Sequence, residues 1–498
     1  MRQLAAGLAV LVQALILWLA AATAAAEEVP AREPDLVLTG TIDRSDHQTY
    51  LAVPLTVPDA VDRLVVVFNY DTKEQRTVID LGVADPGGYR GASGGARRSF
   101  TIAATDATPG YLAGPVLPGQ WALNLAVPNI REGVTAHWSA ELWFLRGAEA
   151  QVLPSPMEGR GPGWYRGDLH LHTAHSDGFC ASASGRRVSC PLFLSLEAAR
   201  KRDLDFVAVT EHNSLSHASA LRELAPYYDD MLLIPGREMT TFHGHFNIIG
   251  VTSHIDFRIA EGMDNSFNTV ADRVHELGGI VSVNHPRLPS GEICMGCGWT
   301  MPDADLSKAD AVEAINGSVA AGGGGPEGPV SGIPFWLETL AAGHGPTAVG
   351  GSDNHDPSRE GAGAVGLPMT LVEASDLSQP AILDGIRRGR VFIDLGAAPD
   401  LFMDFRVSAS GGSAAMGGEL RADERSEVIL QPNVRAPSGS VIDVMSGARR
   451  IARVSIDAAS HQPPLVLPAG SNGPIWLILR DAADAMLGMS NAVRVTRQ

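Results

Sequence analysis

The sequence predicts a mixed α/β protein in which a central α/β domain of barrel type sits between two β-rich segments. Three observations lead there. The chain has 498 residues, several times the usual length of one domain. From Trp164 to Asp394, apolar runs alternate with helical stretches, the sign of parallel strands joined by helical crossovers. On both sides of that stretch the text changes to short alternating runs broken by Gly and Pro, which is the pattern of sandwiches and small β modules.

In chain order, residues 1–26 come first. Arg2 is their only charge, Leu4 to Ala22 is apolar, and Ala22-Thr-Ala24 and Ala24-Ala-Ala26 offer small-residue cleavage sites before Glu27. This is the layout of a secretory signal peptide, with a retained anchor as the alternative, and it predicts an exported protein, periplasmic or secreted. No later segment is apolar for long enough to span a bilayer, so no membrane span is expected after cleavage.

Residues 27–150 predict an N-terminal β-sandwich, carried by runs such as Tyr50-Leu-Ala-Val-Pro-Leu-Thr-Val57 and Arg63-Leu-Val-Val-Val-Phe-Asn69. Residues 151–163, rich in Pro and Gly, read as a linker. The central domain spans 164–398. Its apolar runs end at Asp168-Leu-His-Leu-His172, Thr210, Ile234, Val283, Ile315 and Gly350, and helices are expected over 191–203, 214–224, 266–277, 333–342 and 379–388. So many strand–helix units in one stretch favour a barrel over an open sheet. The tract Gly322-Gly-Gly-Gly325 reads as a flexible loop, with a substrate lid as the alternative. Residues 399–498 return to short β-like runs, including Pro474-Ile-Trp-Leu-Ile-Leu479, and predict a small C-terminal β module.

Composition narrows the function. Lys+Arg 38 against Asp+Glu 56 gives a net charge of −18, a surface that repels nucleic acid. The charge does not exclude a small-molecule substrate, even an anionic one held by local cations, and oligomeric state is left open. The four Cys are too few for a disulfide-built scaffold. Local bridges 180–190 and 294–297 are the simplest pairing of the three possible.

Twelve of the 15 His fall between positions 170 and 355. His170 and His172 stand two apart at a strand end, so both side chains leave one face. Asp177 follows in the next loop. His212, Glu238, His285, Asp353 and His355 each come just past an apolar strand, where barrels and open α/β sheets place active sites. His245 opens a strand instead of closing one, and by position is the weakest of the group. His175, His217, His254, His275 and His344 read as ordinary surface or core residues, and His243 as either a ligand or a partner of one. Imidazole mixed with carboxylate suits Zn, Mn or Fe, and so many donors exceed the needs of one ion, so two or three divalent ions are expected.

These residues carry a resemblance. Asp168-Leu-His-Leu-His-Thr-Ala-His-Ser-Asp-Gly178, Thr210-Glu-His-Asn213, Gly236-Arg-Glu238, Val283-Asn-His-Pro286 and Gly351-Ser-Asp-Asn-His355 resemble the ordered motifs of the polymerase and histidinol phosphatase (PHP) superfamily. With Tyr165-Arg-Gly-Asp-Leu-His170, the flanking β segments and the leader, the chain is similar to the CehA/McbA-like branch. The resemblance covers roughly 164–394. It implies a distorted (β/α)7 barrel with a trinuclear metal centre. It further implies a first ion on His170, His172, Glu238 and Asp353, and a second bridged by Glu238 and bound by His245 and His285. A third would use Asp177, His212 and His355, with Glu238, His212 and His355 as the catalytic residues. Two positions depart from the pattern: Glu211 stands where many members have Asp, and Asp177 where some have His.

The implied activity is metal-dependent hydrolysis by a hydroxide bridging two ions, with a phosphoester as the first substrate and Arg287 and Arg359 as candidate phosphate-binding cations. The alternatives are a carbamate or carboxylic ester, and a metal-loaded binding module without turnover.

Overall fold

The structure is a computed structural model that describes residues 29–95, 97–151, 160–292, 294–396, 398, 400–456 and 463–498. The expected signal peptide and residues 152–159 of the expected linker lie outside the described residues. Among the described residues no helix is long and apolar enough to cross a membrane. The chain divides into two compact units, one up to Arg146 and one from Gly147 to Gln498.

The first unit consists of two four-stranded antiparallel sheets. One runs in the order Leu36–Ile42, Ala136–Leu145, Arg63–Tyr70, Ser99–Ala103, the other Tyr50–Val57, Gly119–Asn129, Val78–Asp85, Gly88–Ala92. Alternation explains the arrangement. Along Gly119–Asn129 the side chains of Trp121, Leu123, Leu125 and Val127 are buried while their neighbours are not, so each sheet turns one apolar face inward. A buried ion pair braces the first sheet. Arg63 meets Asp106 through two bonds of 2.7 Å, with both side chains almost fully buried.

The second unit is built on one long sheet. Its first strands are β1 (Gly163–Asp168), β2 (Phe206–His212), β3 (Leu232–Thr241), β4 (Gly244–Ile249), β5 (Ile280–Val283), β6 (Ala311–Asn316), β7 (Thr347–Gly351), β8 (Met369–Ala374) and β9 (Val391–Asp394). They run in the order β7-β6-β5-β4-β3-β2-β1-β8-β9. Neighbours β1/β2, β2/β3, β5/β6 and β6/β7 are parallel, whereas β4 is antiparallel to both β3 and β5. The ladder is therefore an open path of mixed direction, not a closed ring of seven parallel strands. The cause is local: only Phe242 and His243 separate β3 from β4, too few residues for a parallel crossover.

The terminal strand β7 nonetheless comes back against β8 and the segment after β1, where Leu171 bridges Asn354 in parallel. Thr370 Oγ1 on β8 accepts from Gly350 N–H at 2.8 Å and donates to Gly350 O at 2.7 Å. Buried Asp168 accepts from the N–H groups of Ser352 and Gly366. Backbone bonds Asp353 N–H to His170 O and His172 N–H to Asn354 O then fasten the loop after β7 to the loop after β1.

Each expected helical stretch contains a helix: α1 (Leu192–Arg200), α2 (His217–Leu224), α3 (Phe267–Glu276), α5 (Ile333–Ala341) and α6 (Gln379–Arg387). Between them lies an unforeseen short one, α4 (Gly317–Gly322), capped by the Asn316 side chain accepting from Val319 N–H. The glycine tract after it is an ordered set of turns in which Gly325 N–H reaches Ala320 O and Gly328 N–H reaches Gly325 O. A Cβ on Gly328 would collide with the Gly323 carbonyl, so this tract is a close backbone crossing and not simply a pliable loop.

The C-terminal strands extend the same sheet. Met486–Ser490 pairs with β9, and Gly473–Arg480, Val441–Ser446 and Arg449–Ser455 follow outward, while a separate small sheet holds Phe402–Ala409 and Ile429–Arg435. The expected C-terminal module is thus continuous with the central sheet. Cys180 bonds to Cys190 and Cys294 to Cys297.

Candidate metal centre

The strand directions decide where the donors go. His170 and His172 follow β1, His212 ends β2, His285 follows β5, and Asp353 and His355 follow β7. All stand at the same edge of the sheet. Because β4 is reversed, its first residues lie at that edge too. His245 is paired with Thr240 near the end of β3, so the residue that opens a strand joins those that close one. The structure brings all nine expected ligands together.

Glu238 sits at the hub. Its Oε1 is 3.5 Å from His170 Nε2, 3.2 Å from His245 Nδ1 and 3.3 Å from His285 Nε2. Its Oε2 is 3.5 Å from His172 Nε2 and 2.8 Å from His212 Nδ1. Asp353 Oδ1 lies 3.4 Å from His170 Nε2 and 3.2 Å from His172 Nε2. At the open side, Asp177 Oδ1 is 3.3 Å from His355 Nε2 and 3.6 Å from His212 Nε2. The donor atoms form three overlapping groups, each with all its atoms within 4.8 Å: His172, Asp177, His212 and His355; His170, His172 and Glu238; Glu238, His245 and His285.

This donor set fits divalent cations. Ligand bonds of about 2.1 Å meeting at a tetrahedral angle set neighbouring donors about 3.4 Å apart. That matches the 3.2–3.6 Å separations above, which are long for a hydrogen bond; only His212 Nδ1 and Glu238, at 2.8 Å, stand at hydrogen-bond distance. His170 Nε2 and both ring nitrogens of His172 and His245 are buried with no hydrogen-bond partner. A buried polar atom without a partner costs of order 1–3 kcal/mol, so five in one cluster call for a cation to satisfy them.

The opposite ring edges are held. Nδ1–H of His170 donates to Glu313 at 2.7 Å, that of His285 to the Cys297 carbonyl at 3.3 Å, and that of His355 to the Asp353 carbonyl at 3.0 Å. Each of these bonds leaves Nε2 as the free donor, the usual way a protein orients a ligating imidazole. Asn284 Nδ2 donates to Glu238 at 2.9 Å. Glu211 does not face the donors. It accepts from Thr173 N–H at 3.0 Å and from the hydroxyls of Thr173 and Ser176, clamping the loop that carries Asp177.

Protonation tells the same story. Burial opposes charge on His170, but Glu313, Asp353 and Glu238 outweigh it and hold its pKa well above the usual imidazole value. His172, desolvated and flanked by His355 and His212, falls to about 3. Burial would raise Glu238 and Asp353, yet the surrounding rings keep both carboxylates well below their usual range. His355 rises to about 9 because Asp177 and Asp353 overcome its burial. Protons here stand where other positive charge would bind.

The remaining expected residues are placed as follows. Arg287 is ion-paired with Glu338 on α5, and Arg359 donates to Ser318 Oγ, which in turn donates to the Asp353 carbonyl. His175 bonds Ser216 and His275 pairs with Asp310 at 2.8 Å. His217 is buried on α2, and desolvation drops it to about 3. His243 lies in the β3–β4 turn, with its carbonyl bound by Thr300. Sequence reasoning missed Glu313, Asn284 and Asn316. The signal for Glu313 was there: a carboxylate in the middle of the apolar strand Ala311-Val-Glu-Ala-Ile315 is buried, and a buried charge needs partners.

Comparison with known proteins gives one sequence relative of weight. Over 153 residues the chain is 30% identical to the uncharacterized protein MJ1587 of Methanocaldococcus jannaschii, a span of 30% of this chain and 81% of that protein. The chain belongs to the family of MJ1587. No family model matches. Among solved structures, a two-domain protein from Bacteroides vulgatus, described as containing a predicted PHP-like metal-dependent phosphoesterase, aligns over 68% of this chain and 97% of its own at 16% identity and a TM-score of 0.35. PsfC from Pseudomonas syringae aligns over 45% of this chain and 87% of its own at 17% identity and a TM-score of 0.30. Superpositions this loose carry no chemistry, which rests on this chain's own residues.

Proposed function

We propose that this MJ1587-family chain is an exported metal-dependent hydrolase of the PHP type, in the CehA/McbA-like branch, and that it cleaves phosphoesters. One observation carries the reading: nine imidazole and carboxylate side chains converge at one sheet edge with neighbouring donor atoms 2.8–3.6 Å apart and several buried nitrogens unsatisfied. The ordered motifs and the leader-like amino terminus support the finer assignment.

Two or three divalent ions, Zn, Mn or Fe, would supply Lewis acidity and make water nucleophilic near neutral pH. His170, His172, Glu238 and Asp353 would hold the first, Glu238, His245 and His285 the second, and Asp177, His212 and His355 the third. The chain's own part is to orient. Glu238 draws five rings to one point, and the fully buried His170 and His172 floor the site and exclude water. Asp177, His212 and His355 keep side-chain exposures of 58%, 27% and 28%, so substrate reaches the centre from their side. Asp177, Glu238 and Asp353 bring three negative charges against about six from three divalent ions, and the positive balance favours an anionic ester.

A second reading has an observation of its own. The recess beside His285 and Glu313 is lined by Asn316 and Ser331 together with Ala314, Ile315, Val319 and Val330, and no Lys or Arg is among its described lining residues. A recess without a cation suits an uncharged carbamate or carboxylic ester. The test runs a nitrophenyl phosphate diester and a naphthyl carbamate side by side on the Mn- and Zn-loaded chain, with His172→Ala and Asp353→Ala as controls. Phosphodiester cleavage lost in both variants supports the proposal. Carbamate cleavage alone promotes the second reading, and metal binding without turnover of either overturns the phosphoesterase assignment.

A further inference from the structure

Behind the donors lies a carboxylate that no motif contains. Glu313, 1% exposed on β6, uses both oxygens on the metal centre. Its Oε1 accepts from His170 Nδ1–H at 2.7 Å. Its Oε2 accepts from the backbone N–H of His285 at 3.0 Å and from Asn316 Nδ2 at 3.0 Å. Asn316 Nδ2 also reaches Asp353 Oδ2 at 3.2 Å. One side chain therefore touches His170 and His285 directly and Asp353 through a single intermediary.

Two of those ligands sit on backbone that side chains rarely adopt. His285 has φ +26° and Asp353 φ +52°. Such conformations cost of order 1–3 kcal/mol and persist only where surrounding contacts impose them. The Glu313 bond to the His285 N–H is such a contact. The Asp353 backbone is held by its N–H on His170 O and by Ser318 Oγ on its carbonyl, while Asn316 orients its carboxylate. Gly351 is part of the same arrangement, because a Cβ there would collide with Glu313 Oε1 and with His170 Cβ.

We propose that Glu313 is the positioning residue of the metal centre: it fixes the His170 ring with Nε2 outward, locks His285 into its strained backbone and, through Asn316, orients the Asp353 carboxylate, so that the first two ions bind together. The proposal rests on reading the cluster as a metal centre. Glu313 receives three N–H donors and gives none. A glutamine in its place keeps the shape but offers one oxygen and an NH2 group, so at least one of the three donors meets another donor.

The test uses Glu313→Gln in the full mature chain, with Mn2+ alone as probe and two readouts. Mn2+ titration of the chelator-treated protein should show affinity for the first two ions lowered about 10–100-fold, the usual effect of removing an orienting partner. Nitrogen-15 spectra of the metal-free chain, labelled in the imidazole rings, should show the His170 Nδ1 signal displaced, with the other rings changed less. A merely structural role would not single out that ring. Gly351→Ala, which presses on the same carboxylate without removing it, should weaken Mn2+ binding in the same direction and stands in if Glu313→Gln does not fold. An unchanged His170 signal, or unchanged Mn2+ affinity and stoichiometry in a folded variant, overturns the proposal. Failure of the wild-type chain to bind Mn2+ defeats the metal reading instead, and the metal-free spectra still decide whether Glu313 fixes His170.

Discussion

Both units bury charge, but on opposite terms. In the first unit Arg63 and Asp106 answer each other through two 2.7 Å bonds. In the second, His170, His172, Glu238 and His245 are as deeply buried, yet several of their polar atoms have no hydrogen-bond partner. Among the described residues, every buried side-chain polar atom without such a partner belongs to the second unit. The ion pair of the first unit is satisfied by its own side chains. In the second unit orphaned atoms also occur singly, as at Ser195, Arg237 and Ser440, but six of them meet on His170, His172, Glu238 and His245, and it is this clustering that marks a site arranged around something the chain does not itself supply.

The largest test of this contrast acts on the hub. Glu238→Gln should abolish binding of at least two ions and lower activity by roughly three orders of magnitude or more, because several kcal/mol of charge stabilisation go with the ions. Elemental analysis of the purified variant reads it. In the same spirit, saturating the wild-type chain with Mn2+ at about 100 times its Kd should stabilise the second unit by about 2.7 kcal/mol per independent site and leave the first unit's transition unmoved.

The matching test on the other side is Arg63→Met. Leaving Asp106 buried without the Arg63 guanidinium should cost the first unit about 3–5 kcal/mol. Metal content should not change. A calorimetric trace in which the metal-dependent transition shifted instead would erase the distinction between the units.

How much of this was legible in the sequence depends on whether the signal was local. The strand-end positions of His170, His172, His212, His285 and Asp353 follow from apolar runs followed by polar residues, and the five long helices from their apolar spacing. His245 looked misplaced because the sequence was read as parallel throughout. The two residues Phe242 and His243 are too few for a crossover, and with that hairpin recognised His245 falls at the shared edge. The joining of the C-terminal strands to β9 through Phe392 and Ser490 is a pairing of distant residues that no local pattern announces. Glu313 was hidden for a different reason: it belongs to a strand, not to a motif, and its partners lie 143 and 28 residues away.

A smaller effect concerns a carboxylate of the second unit whose partners do not offset its burial: Asp394 accepts from Gly396 N–H at 2.7 Å and lies 4.0 Å from Arg166. Asp394 is fully buried and desolvation lifts its pKa to about 6 from 3.8. A raised carboxylate pKa means the folded state holds its proton more tightly than the unfolded chain. Stability is therefore lost as pH rises from about 4 through 6. Asp394→Asn should recover up to about 3 kcal/mol at pH 7 and nothing below pH 4, read as unfolding midpoints at the two pH values.

The smallest effect sharpens the account of the third group. Glu211→Gln cannot accept all three donors from Thr173 and Ser176, so the Asp177 loop should loosen. Affinity for one ion should fall about tenfold while the other ions stay bound, a difference that Mn2+ titration resolves.

The most direct measurement is the number of divalent ions bound per chain, by elemental analysis of the purified mature protein after loading with Mn2+, beside Glu238→Gln treated identically. The account predicts two or three ions in the wild type and at most one in the variant. A wild-type chain that stays folded and binds none, or a variant that binds as many, would contradict it.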